Sequence, residues 1–97
     1  MYKYNEKELL KELEEYIDDT YEGHYSNSRY LGQHTQATES IMAAGHGEGF
    51  CIGNIVKYAL RYGKKEGRNR KDLLKILHYG IMLVYNHDTW SEQNDED

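Results

Sequence analysis

Lysine, arginine and asparagine recur through GNIVKYALRYGKK at a spacing suited to gripping an anion. Lys57 and Arg61 stand four residues apart and Asn54 precedes Lys57 by three, so on a helix the three share one row. Arginine presents a planar fork to phosphate oxygens, and lysine a mobile point charge. Tyr58 and Tyr62 form a second one-turn pair with rings able to stack on a base. Lys64, Lys65 and Arg68 follow closely and can reach the same anion from the segment after the helix. The bland alternative is an amphipathic helix with a cationic last turn, which the helix dipole favours unaided. Spacing alone leaves both readings open.

Other chemistries are poorly supplied. Glu39 is a lone acid on a short, otherwise uncharged helical stretch, either a surface residue or a fixed partner for Lys57, Arg61 or a ligand hydroxyl. Glu39 and Asp72 alone make a weak magnesium site, because such sites combine carboxylates with substrate phosphates. The five histidines are scattered, and no HExxH or CxxC spacing occurs, so no metal site and no cofactor is expected. GxxxxGK[ST] is absent, and the glycines of GHGEGFCIGN follow a helical pattern where a nucleotide fingerprint would follow a strand. Cys51, the single cysteine, cannot form an internal disulfide and reads as a reduced core residue.

The formal charge of −5 conceals a division along the chain. Residues 1–22 hold eight acids against three bases, and residues 88–97 five acids and no base. Between them, eight bases crowd into Lys57–Lys75 with only Glu66 and Asp72 opposing them. That segment favours anionic partners, while the acidic total argues against general nucleic-acid binding. No apolar run approaches the length of a membrane span or a signal sequence, and the expected location is cytoplasmic.

Four helices are expected to position these residues, one of them short. The first covers about Glu6 to Asp19, with Asn5 as cap and Glu8 completing a capping box. EGHYSNSRYLGQH reads as a loop, from Tyr21 to His34. A short helix follows over Gln36–Ala44, capped by Thr35 and stopped by Gly45. The third starts near Cys51–Asn54 and ends at Tyr62 before Gly63, its core stripe being Ile52, Ile55, Val56, Ala59 and Leu60. The fourth runs from Arg70 to His87 behind Asn69, with Leu73, Ile76, Leu77, Ile81 and Val84 inward and Gly80 marking a close helix crossing. Residues 1–87 thus form one all-α domain, a compact bundle, and 88–97 a frayed acidic tail. The chain is short, and Leu10, Tyr16, Tyr21, Leu83 and Tyr85 exceed what one apolar stripe per helix can cover, so a homo-oligomer, most simply a dimer or a multiple of it, is expected.

HY at 24–25, QATESIMAAGHGEGFCIGNIVKYALRYGKK and DLLKILHYGIML together resemble the DUF3310 group of small phage-encoded proteins, over about Gly23–Leu83. GNxxKYxxR is the specific part of that pattern. By the resemblance Glu39, Gly53, Asn54, Lys57, Tyr58, Arg61, Lys65, Asp72, Leu73, Lys75 and Tyr79 occupy family positions. Some podophage members are described as nucleotide kinases without a P-loop, which makes phosphoryl transfer one implied activity. The expectation favoured here is binding of a nucleotide or nucleotide-derived signal, which in a phage would sequester a host immune messenger. A P-loop-less nucleoside monophosphate kinase and an adaptor for a host protein are the alternatives, and whether the chain is an enzyme stays open. The expected ligand set is Glu39, Asn54, Lys57, Tyr58, Arg61, Lys64, Lys65 and Arg68, with Arg61 beside the core, so that its loss should affect fold stability much less than binding.

Overall fold

A computed structural model describes residues 2–26 and 37–91, with side chains over 2–22 and 37–89. Among the described residues every regular element is helical, as the missing strand alternation predicts. The chain divides into two compact units, Met1–Gln36 and Ala37–Asp97.

The first unit contains helix α1, Glu6–Ser26. Leu9 N–H donates to Asn5 O at 3.0 Å, opening the helical ladder, and the Glu6 carboxylate accepts from Tyr4 N–H at 2.7 Å. Glu6 and Glu8 also suit the positive end of the helix dipole. The helix passes its expected end at Asp19 and absorbs Tyr21–Ser26, which composition assigned to a loop. A single glycine such as Gly23 costs a helix only about 1 kcal/mol against alanine, and no proline follows to stop it. The remainder of that expected loop, with Thr35 and Gln36, lies outside the described residues.

The second unit begins with α2, helical over residues 37–43. Its end is a Schellman motif: Gly45 N–H donates to Met42 O and His46 N–H to Ile41 O, both at 3.0 Å. That geometry needs a left-handed residue, and Gly45 supplies it at φ 89°. Helix α3 then spans Gly47–Arg61, starting a turn earlier than expected. The glycines of GHGEG do not form a free loop there: Gly47 is buried where α3 begins. A Cβ at Gly47 would collide with Asn86 Oδ1, lie 3.0 Å from Asn86 Cγ and 3.2 Å from Met42 Cγ. Gly47→Ala is therefore expected to destabilise the fold by about 1–3 kcal/mol, the usual range for overpacking. A denaturant titration checks this; a midpoint equal to the parent's would show that Asn86 moves aside freely.

Tyr62 caps α3 and Gly63, at φ 85°, turns the chain, its N–H donating to Gly67 O at 2.9 Å. Helix α4 is Arg70–Asn86, and Asn69 caps it as expected, its side chain accepting from Lys71 N–H at 2.9 Å. From His87 the chain continues as one π-helical turn to Ser91, so the expected frayed tail is helical at least that far. Residues 92–97 lie outside the described residues.

Helices α3 and α4 pack antiparallel in one register. Gly47 meets Asn86, Lys75 lies over Tyr58, and Arg61 meets Asp72, each step forward on α3 matching one back on α4. What fills this seam reverses the expected pattern. Cys51, Tyr58, Asp72 and Asn86 are buried, whereas Ile52, Val56, Leu60, Leu73, Leu77, Ile81 and Val84 are exposed. Of the apolar rows expected to form the core only Ile55 and Ile76 are half-buried and the rest are exposed, while a polar, aromatic row lies inside. Gly80 also departs from expectation: among the described residues a Cβ there meets nothing within 4 Å, so no close crossing among them requires the glycine.

Candidate functional site

The seam is built around Tyr58. On α3, Cys51 and Tyr58 are seven residues apart, two helical turns, and both face α4. Tyr79, on α4, lies parallel to Tyr58 with centroids 6.1 Å apart and planes 15° from coincidence. Phe50 meets Tyr79 edge-on at 5.8 Å, and the His78 ring is tilted beside it at 6.5 Å. These geometries suit the aromatic quadrupole.

Three cations gather on the same ring. Lys57 Nζ lies 5.1 Å from the Tyr58 centroid, Lys75 Nζ 5.2 Å and Arg61 Cζ 6.0 Å. Each contact is an ordinary cation–π distance. The expected row of Lys57 and Arg61 on α3 thus meets a cation from α4. Lys57 is exposed and Lys75 half-buried, so both ammonium groups border solvent.

One buried acid answers them. Asp72 is only 2 % exposed and lies in the first turn of α4, where the helix dipole favours a carboxylate. Arg61 Nε stands 3.6 Å from Asp72 Oδ1, and Arg61 Nη2 lies 3.9 Å from Glu66 Oε2. Among the described residues neither Arg61 Nε nor Asp72 Oδ2 has a hydrogen-bond partner, although both atoms are buried. Arg61 is therefore held at the seam by charge, with Nε buried and the side chain 29 % exposed. Its fork faces protein carboxylates. Local charge remains positive, because Lys57, Arg61 and Lys75 stand against two carboxylates, Asp72 and Glu66, both near Arg61.

The other expected residues fall into three places. Asn54 is half-buried and donates from Nδ2 to Phe50 O at 2.9 Å, so its amide is engaged with its own helix. Lys64, Lys65 and Arg68 are exposed in the α3–α4 connection, and the Arg61 backbone O accepts from Lys64 and Lys65 N–H. Glu39 is exposed on α2, and among the described residues no ion pair joins it to Lys57 or Arg61. Tyr58 is buried against Tyr79, so its ring orients cations and is not offered whole to a base.

Sequence reasoning left Asp72, Lys75 and Tyr79 out of the ligand set, though the family resemblance carried all three. Their signal was available in the spacing: Asp72, Lys75 and Tyr79 repeat a helical row at three and four residues, opposite Arg61, Tyr58 and Asn54 in an antiparallel hairpin. Cys51 is fully buried and desolvation raises its thiol pKa, which makes it an unreactive packing residue.

No described helix is long and apolar enough to cross a membrane. Among the described residues no group of three or more His, Cys, Asp or Glu is placed to hold a metal ion. Comparison with protein families matches residues 19–80 to the model described as a protein of unknown function, DUF3310. No curated protein and no solved structure matches the chain.

Proposed function

The chain belongs to the DUF3310 family, and from that premise we propose that it binds a phosphorylated small molecule, a nucleotide or nucleotide-derived signal, at the Lys57–Lys75 side of the α3–α4 seam. The observation that supports this is the gathering of Lys57, Arg61 and Lys75 around one buried tyrosine with a single buried carboxylate among them. Packing requires none of that excess charge. Like charges held together cost free energy, and an anion placed between the two ammonium groups would remove the cost.

Arg61 and Asp72 set the frame, and the two lysines make the contact. A lysine on each helix reaches an anion by bending a flexible stem, which suits polyphosphates of differing length. Phe50, Tyr79 and His78 supply aromatic surface next to the lysines, the feature that favours a nucleotide over inorganic phosphate. In a phage setting such binding would sequester a host signal without turnover.

Mass spectrometry of small molecules released from the purified protein, followed by titration with the common nucleoside phosphates, tests this reading. A released nucleotide that rebinds stoichiometrically is the expected result. If no phosphorylated compound is released and none of the panel binds, the cationic cluster is structural. Steady conversion of a nucleoside monophosphate and ATP to diphosphates would instead make the chain a kinase.

A further inference from the structure

The start of α3 leaves backbone donors without acceptors. The N–H groups of a helix's first turn have no partner within the helix, and a cap, water or a ligand must answer them. Phe50 N–H, donating to His46 O at 3.0 Å, is the first to enter the ladder of α3. Among the described residues the N–H groups of Gly47, Glu48 and Gly49 donate to nothing. His46 holds the N-cap position, and its side chain makes no capping hydrogen bond. Gly47 is nevertheless buried, so one of these open donors belongs to a residue largely withdrawn from solvent.

A buried amide converges on the same place. Asn86, the last residue of α4, is only 7 % exposed. Its side chain is directed at Gly47, with Oδ1 and Cγ in the space a Cβ there would need. Among the described residues that amide makes no hydrogen bond, to the helix start or to anything else. With Oδ1 turned to Gly47, the Nδ2 donors are the arm left for a further group. Burying an amide unpaired is costly, and packing alone would be served as well by an apolar side chain.

From the three open N–H groups and the unpaired buried amide we infer that the start of α3 is an anion site that takes phosphate oxygens, free or as a phosphate ester. It is separate from the lysine site: Gly47 and Lys57 are ten residues apart, ~15 Å along the helix. Every group it offers is a donor at the positive end of the helix dipole, which suits an anion and repels a metal ion. Phosphate presents three acceptor oxygens to these spread donors, where a carboxylate has two. Glycine at 47 and 49 lets an oxygen approach the backbone closely, and at Gly49, which is exposed, a Cβ would meet nothing within 4 Å. The acids next in sequence to these donors, Glu48 and Asp88, are exposed, so solvent and salt screen their repulsion.

Titration of the full chain with inorganic phosphate, followed by proton–nitrogen magnetic resonance, tests the inference. Chloride at matched ionic strength is the control, and Lys57→Ala with Lys75→Ala is the background, so that the lysine site does not contribute. The Gly47, Glu48 and Gly49 amide signals and the Asn86 side-chain amide are expected to shift together and saturate. Added to that background, Asn86→Asp puts a carboxylate of the same shape against the donors and should weaken phosphate binding at least about tenfold. Glu48→Gln, at an exposed position, removes a repelling charge and should tighten it about twofold. Shifts that do not saturate, equal shifts in chloride, or undiminished binding by Asn86→Asp overturn the site. Should Asn86→Asp fail to fold, Glu48→Gln decides, and an affinity no tighter than the background's overturns it. The lysine site is read from the Lys57 and Lys75 signals of the unsubstituted chain, so either site can fail without the other.

Discussion

Replacing Asp72 with alanine is expected to lower the melting temperature by about 10–20 °C. Asp72 is buried at 2 % exposure and faces Arg61 at 3.6 Å, with Lys75 and Lys57 on the ring beside them. Removing one partner of a fully buried ion pair costs about 3–5 kcal/mol, because the other charge stays behind uncompensated. The Arg61 side chain is 29 % exposed and also lies near Glu66, so part of its charge can be answered elsewhere. A cost of about 2–3 kcal/mol follows from that discount. For a domain of this size each kcal/mol moves the midpoint by about 4–8 °C.

The same physics gives the control. Arg61→Met with Asp72→Leu removes both charges, and should recover most of the stability lost by Asp72→Ala, since apolar replacement of a buried pair is often neutral or better. Thermal melts of the three variants followed by circular dichroism decide the matter. An Asp72→Ala midpoint equal to the parent's would show that the seam is held by its aromatic packing alone.

The second large effect is on binding. Lys57→Ala and Lys75→Ala should each weaken association with the rebinding nucleotide about tenfold, and together about 100-fold. A charge-assisted hydrogen bond to phosphate contributes about 1.5–3 kcal/mol, and about 1.4 kcal/mol is a factor of ten. Stability should move little. Each lysine loses a cation–π contact of about 0.5–1 kcal/mol but also relieves repulsion from the other two cations. Calorimetric titration beside thermal melts separates the cases. Normal binding by the double variant would place the phosphate elsewhere, with Lys64, Lys65 and Arg68 the next cations to test.

The contrast between these two predictions follows from how much of the site was legible. Helical spacing put Lys57 and Arg61 on one row, and Asn69 announced the start of α4 through its capping chemistry. Periodicity states which residues share a face; it does not state which face a neighbour covers. Ile52, Val56 and Leu60 made the better apolar stripe, yet α4 packs on the row of Cys51, Tyr58 and Arg61. That row can be buried because its polar groups answer one another across the seam, and no single helix displays such pairing. An apolar stripe considered on one helix alone therefore reads as core even where the neighbouring helix packs on another row. Gly47 was obscure for a related reason: in GHGEG it resembles loop glycine, while its need arises from Asn86, far along the chain.

The most direct measurement of the anion site is side-chain nuclear magnetic resonance of the lysines during nucleotide titration. Lys57 and Lys75 ammonium signals, with the Tyr79 ring, should shift together and saturate at one ligand per chain, while Lys64 and Lys65 move little. Shifts confined to Lys64, Lys65 and Arg68, or no saturable shift at Lys57 and Lys75, would contradict a phosphate site at the seam.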